Sequence, residues 1–111
     1  MSQDLKWSPA EKKIARRAYD AALETRLDTL VADFKLKASA VTSASEVWEI
    51  EDYLHQQRRE IDTIFDYRYS QLSMVFAHLI RRGWLDESRL DGLSEDKRED
   101  IRRILSYFAR V

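Results

Sequence analysis

From Ser43 to Arg82 the chain runs for about 40 residues without a proline or a glycine. The pattern predicts one helix over about 43–82, roughly 60 Å long at about 1.5 Å per residue and well beyond the usual helix length. Ser43 followed by Glu46 makes a capping box at its start, and Gly83 suits a left-handed cap at its end. A break, if there is one, falls near Arg68 to Ser70.

On a helical wheel at about 100° per residue, Val47, Ile50, Leu54, Ile61, Phe65, Leu72, Val75, Phe76 and Leu79 lie within roughly 60° of one direction. Val47, Leu54, Ile61 and Val75 are separated by multiples of seven, as are Phe65, Leu72 and Leu79, a spacing that suits coiled-coil-like packing. Arg58 and Arg68 interrupt the stripe, and a charge buried there is costly unless an acid meets it. Asp52 lies roughly 120° around the helix from Arg58 and about 9 Å along it, so the two cannot pair within one helix. A second copy crossing antiparallel near residue 55 brings Asp52 of one chain to Arg58 of the other. We therefore expect a homodimer with Asp52, Leu54, Arg58 and Ile61 at the seam, because a helix this long has more apolar surface than one neighbour covers.

Trp48, Asp52, His55, Arg59, Asp62 and Asp66 fall about 80–160° away from that stripe. Trp48 on this polar face either packs against the first helix or the C-terminal cap, or anchors a protein partner, as Trp with Arg commonly does at interfaces. The run Phe65-Asp66-Tyr67-Arg68-Tyr69-Ser70 is unusual for a helix, and we read it as packing under the C-terminal cap rather than as a ligand-stacking site.

The rest of the chain is helical too. Ser8-Pro9-Ala10-Glu11 combines a capping box with proline in the first turn and opens a helix over about 8–40. Leu23, Leu27, Leu30, Phe34 and Val41 form one face of it, while Ile14, Ala18 and Ala22 lie roughly opposite, so this helix meets different neighbours along its length. After Gly83, Trp84-Leu85 turns apolar surface back to the core. Asp86 to Leu93 reads as a short helix or turn, and Ser94 caps a last helix of about 95–109 with Ile101, Ile104, Leu105 and Phe108 inside. The expected architecture is all-α: one domain over 1–111, an extended stalk of two long helices (about 8–40 and 43–82), and a short C-terminal helical head (about 84–109).

Composition narrows the function. Hydrophobic residues at 44% and charged residues at 35% fit a folded chain with solvated helix faces. The 19 basic and 20 acidic side chains nearly cancel, which argues against nucleic acid as a partner. Arg81-Arg82 and Arg102-Arg103 are then solvated faces. With no cysteine there is no disulfide, thiolate nucleophile or Cys-based metal site. Met1 to Trp7 lack the apolar core of a signal peptide, and no run approaches the ~20 apolar residues of a membrane span, so a cytoplasmic protein is expected. His55 and His78 lie on different faces without metal-motif neighbours, and no nucleophile–base pair is evident. We expect no enzyme, no metal and no cofactor.

The stretch Val47-Trp48-Glu49-Ile50-Glu51-Asp52-Tyr53-Leu54, with Arg58 and Glu60-Ile61-Asp62, resembles the fluorescence recovery protein family of cyanobacteria. Phe65-Asp66-Tyr67-Arg68-Tyr69-Ser70, Val75-Phe76-Ala77, Gly83-Trp84-Leu85 and Gly92-Leu93 with Asp96-Lys97 continue the resemblance, which covers about Trp7 to Leu105. It implies an all-α homodimer. Members of that family bind the light-activated red form of the orange carotenoid protein, speed its return to the orange form and detach it from the phycobilisome, without covalent chemistry. Carried over, Asp52 and Arg58 are dimer-interface partners, and Trp48, Glu51, Met74 and Phe76 belong to the partner-binding surface. Glu51 stands where the family tends to carry His, and Met74 where it carries Phe. Those departures leave room for an alternative: an interaction or scaffold protein of a non-photosynthetic bacterium, built on the same dimer but with another partner.

Overall fold

The computed structural model describes residues 6–109; the reading of the first five residues, and of the last two, lies outside the described residues. Helix α1 spans Pro9–Ser39, α2 Ala44–Ile64, α3 Leu72–Arg81 and α4 Glu95–Ala109, with a single 3-10 turn at Glu87–Leu90 between α3 and α4. Among the described residues there is no strand. The molecule measures 55 × 29 × 20 Å, elongated by the hairpin of α1 and α2. Among the described residues no helix is long and apolar enough to cross a membrane.

The helix starts follow the local chemistry. The Ser8 backbone N–H donates to Glu11 Oε1 at 3.0 Å and the Glu11 N–H donates to Ser8 Oγ at 3.1 Å, a complete capping box with Pro9 in the first turn. At α2, Ser43 Oγ accepts from the Glu46 N–H at 3.4 Å, but the Glu46 carboxylate reaches past the cap to the Thr42 N–H at 2.7 Å and its hydroxyl at 3.0 Å. Gly83 has φ +80°, and Trp84 N–H bonds back to Leu79 C=O at 2.9 Å, the expected left-handed close.

The helix expected over 43–82 is two helices. It stops at Ile64 and resumes at Leu72, a wider interruption than Arg68 to Ser70. Tyr19 of α1 meets Phe65 and Tyr67 edge-on, with centroids 5.4 and 4.9 Å away. Tyr67 passes the contact to Tyr69 at 5.6 Å, and Tyr69 to Trp7 at 6.0 Å. Arg16 lies 4.6 Å from the Tyr67 ring and Lys12 5.0 Å from the Tyr69 ring. Each such aromatic pair stabilises by about 0.5–1.5 kcal/mol beyond area burial. Phe, Tyr and Asp are mediocre helix formers, so the aromatic contacts outweigh the helical hydrogen bonds given up. Asp66 is also drawn off by Arg68, whose Nε donates to its Oδ1 at 2.9 Å.

The main core sits in the head. Leu72, Val75, Phe76, Ala77 and Leu79 of α3 pack with Leu85, Leu90, Leu93 and Ile101, and α1 closes it with Ala15, Ala18, Tyr19 and Ala22. Thus α1 buries its small-residue face at the head, whereas Leu27, Val31 and Phe34 further along remain exposed. Gly92 (φ +101°) lets the turn approach α1 closely; a Cβ there would lie 2.6 Å from Ile14 Cδ1. Glu11, buried, joins the start of α1 to the start of α4: its carboxylate accepts from Ser94 N–H at 2.8 Å and pairs with buried Lys97 at 3.2 Å. Lys97 in turn donates to the Lys6 carbonyl at 2.6 Å and sits 5.1 Å from the Trp7 ring.

Candidate functional site

Two surfaces gather the residues singled out by the sequence. The first is the outer face of the stalk. Val47 is 45% exposed, and Leu54 and Ile61 are half-buried. Phe34 of α1 joins Val47, Ile50, Glu51, Leu54 and Arg58 of α2 along one shallow groove. Asp52 and Arg58 are both exposed, and neither makes an ion pair with any described residue. The structure therefore leaves a groove with an unmatched cation inside it, lined by Val47, Ile50 and Leu54 with Phe34 added from α1, whereas Leu72, Val75, Phe76 and Leu79 of the same expected stripe are buried in the core of the head. Glu51 lies in this groove with Arg58 rather than on the Trp48 face.

Trp48 is 60% exposed. Neither α1 nor the head encloses this side chain. It projects from the α2 face shared with His55 and Arg59, both exposed. Large exposed indoles are uncommon on a surface with no binding role.

The second surface is a cleft between the end of α2 and α3. Arg59, Ile64, Met74, Val75, His78 and Arg82 line it, and Met74 is 44% exposed. Phe76, expected beside Met74 on a partner-facing surface, is 0% exposed and is corrected here to a core residue. Two residues along a helix turn a side chain by about 200°, so when Met74 faces outward Phe76 faces the core with Leu72, Val75 and Leu79. His78 is half-buried, with its ring 4.7 Å from that of Phe108. Burial, then the charges of Arg82 and Arg81, hold its imidazole below its usual pKa.

Arg26 was not singled out by the sequence, yet it is 5% exposed. It donates to Gln57 and to Glu60 Oε1 at 3.2 Å, and it lies 5.0 Å from the Trp84 ring. Arg82 reaches the other Glu60 oxygen at 3.2 Å. Hydrogen bonding from Arg82 is the main reason the Glu60 carboxyl is held below its ordinary range, despite partial burial. Glu60 thus ties α1, α2 and the end of α3 together. Nothing in the local sequence marks Arg26; its partners are more than thirty residues away.

Neither surface has a nucleophile–base pair, and among the described residues no group of three or more His, Asp or Glu side chains is placed to hold a metal ion. An exposed Trp, an unmatched Arg in an apolar groove and a rimmed cleft are features of protein recognition.

The sequence model of the family described as "Photoprotection regulator fluorescence recovery protein" matches residues 7–105. The fluorescence recovery protein of Synechocystis sp. is 34% identical over 98 residues, covering 88% of this chain and 90% of that protein. Among solved structures, the fluorescence recovery protein of Fremyella diplosiphon superposes with a TM-score of 0.86 at 34% identity, covering 96% of this chain and 100% of the other. The Synechocystis protein's structure gives a TM-score of 0.86 at 33% identity over the same shares.

Proposed function

The chain belongs to the fluorescence recovery protein family of photoprotection regulators, and on that premise we propose that it is a dimeric, non-enzymatic regulator in the cytoplasm that binds the red, photoactivated form of an orange carotenoid protein and returns it to the orange form. The observation that carries this reading is the family match over residues 7–105. The exposed residues of α2 support it.

Two roles divide the helix. Leu54, Ile61 and the Asp52–Arg58 pair form the seam between two copies, where Arg58 receives the acid that its own chain does not supply. Trp48 anchors the partner, with Met74 as a second contact on the head and Glu51 at the edge of both. No bond is made or broken. The regulator speeds reversion by binding the conformations between red and orange more tightly than it binds red.

The direct test is to photoconvert an orange carotenoid protein and time its dark recovery with excess regulator. Acceleration that is lost in Trp48→Ala supports the reading; an unchanged recovery time with the wild-type chain rejects it. Arg58→Glu, weighed in solution, tests the seam separately, and a stable dimer in that variant excludes the Asp52–Arg58 pairing.

A further inference from the structure

The cleft between α2 and α3 has an uneven hydrogen-bond balance. Two acids border it, and both are engaged. Glu60 gives one oxygen to Arg26 and the other to Arg82. Asp66 gives both oxygens to Arg68. The Arg59 guanidinium stands at the rim, exposed, with no hydrogen bond or ion pair to any described residue; its backbone carbonyl alone is engaged, accepting from Thr63 Oγ1 at 2.8 Å. Asp62, exposed three residues on, does not meet it. Arg82 pairs through one nitrogen only, and Arg81 lies exposed beside it. Between these donors, Met74 is open to solvent, with Ile64 and Val75 beneath.

We propose that this cleft takes an acidic amphipathic segment of the protein partner, with one apolar side chain seated on Met74 and carboxylates meeting Arg59 and Arg82. The inference rests on the regulator reading above and supplies the chemistry of its head contact. Charge complementarity selects the occupant: a guanidinium presents several donors in a fixed fork that a carboxylate fills two at a time. A basic or neutral segment leaves Arg59 unpaired against a desolvating neighbour. A second copy of this chain does not compete for the cleft. Arg59 lies roughly 150° around α2 from the Val47–Leu54–Ile61 stripe, so the dimer seam and the cleft face different ways.

The probe is a fluorescein-labelled amphipathic peptide with leucines on one face and glutamates flanking them, compared with a twin carrying lysine for glutamate. Fluorescence anisotropy with the full chain reads both. At low salt the acidic peptide binds about tenfold or more tightly than its twin, and the preference fades as salt screens the pairs. Arg59→Glu abolishes the preference, while Met74→Ser weakens acidic-peptide binding with the preference kept; both positions are exposed, so both variants fold. Equal binding of the two peptides, binding of neither, or a preference that survives Arg59→Glu overturns the proposal. The recovery assay separates the two readings. A chain that speeds recovery but shows no acidic preference refutes the cleft alone. A chain that prefers the acidic peptide through Arg59 but leaves recovery unchanged upholds the cleft and refutes the regulator.

Discussion

Glu11 is a carboxylate taken almost wholly out of water, and its environment decides its charge. Burial pushes its carboxyl up, but the N–H groups of Ser8 and Ser94 and the ammonium of Lys97 outweigh that and bring it from 4.5 to about 2. The folded value lies below the unfolded one, so the stabilisation is fully present above about pH 5 and drains away as pH falls toward about 2. Glu11→Gln leaves Lys97 buried without its counter-charge, which costs about 3 kcal/mol at neutral pH. Urea denaturation between pH 7 and 3 checks both parts: the variant starts less stable and loses less on acidification, whereas an unaltered pH slope contradicts the assignment. Half of this residue's role was legible in the sequence. The Ser8–Glu11 spacing announces a capping box because both partners lie within one turn. Its bonds to Ser94 and Lys97, more than eighty residues away, leave no local trace. Phe76 is the converse case. The helical wheel had placed it on the apolar stripe, where the structure keeps it, and only the family resemblance moved it to the surface.

At the scale of elements, the helix caps and the Gly83 close were readable, and the gap at Phe65–Gln71 was not fully so. Periodicity across the gap is preserved: Phe65, Leu72 and Leu79 keep their seven-residue spacing, which invites a single helix. What breaks it is Tyr19, on another helix, offering an aromatic face to Phe65 and Tyr67. The sequence suggested that this aromatic run packs under the C-terminal cap rather than stacking on a ligand; its ring contacts are instead with Tyr19 of α1 and, through Tyr69, with Trp7. Removing the platform tests the account. Tyr19→Ala deletes a buried ring and two edge-on contacts, so it destabilises by about 3 kcal/mol or more. Amide hydrogen exchange should show the added opening concentrated at residues 65–71 and the adjoining turn of α1. Faster exchange spread evenly over α2 and α3, or no loss of stability, shows instead that the gap is set by its own sequence.

Over the whole molecule, apolar surface is distributed unevenly. The head buries its large side chains within one chain, while the stalk leaves Leu27, Val31, Phe34 and Val47 open on neighbouring turns. Two helices alone cannot enclose a stripe on their outer side; in the dimer proposed above, a second stalk laid antiparallel covers it with the same residues. Stability then depends on chain concentration, because dimerisation draws folded chains away from the unfolded pool. The thermal midpoint should rise with concentration over a hundredfold range. Leu54→Glu places a carboxylate in the groove between Phe34 and Arg58. It should halve the mass seen by sedimentation equilibrium and abolish the concentration dependence, with most of the helical circular dichroism retained because the head core is intact. The α2 residues near Ala44 should then fray first, since the stalk tip loses the cover that the proposed seam gives it. A wild-type midpoint independent of concentration, or a Leu54→Glu chain that keeps the wild-type mass, means the stalk groove is covered by something other than a second copy, and the seam assigned to Asp52, Leu54, Arg58 and Ile61 falls with it.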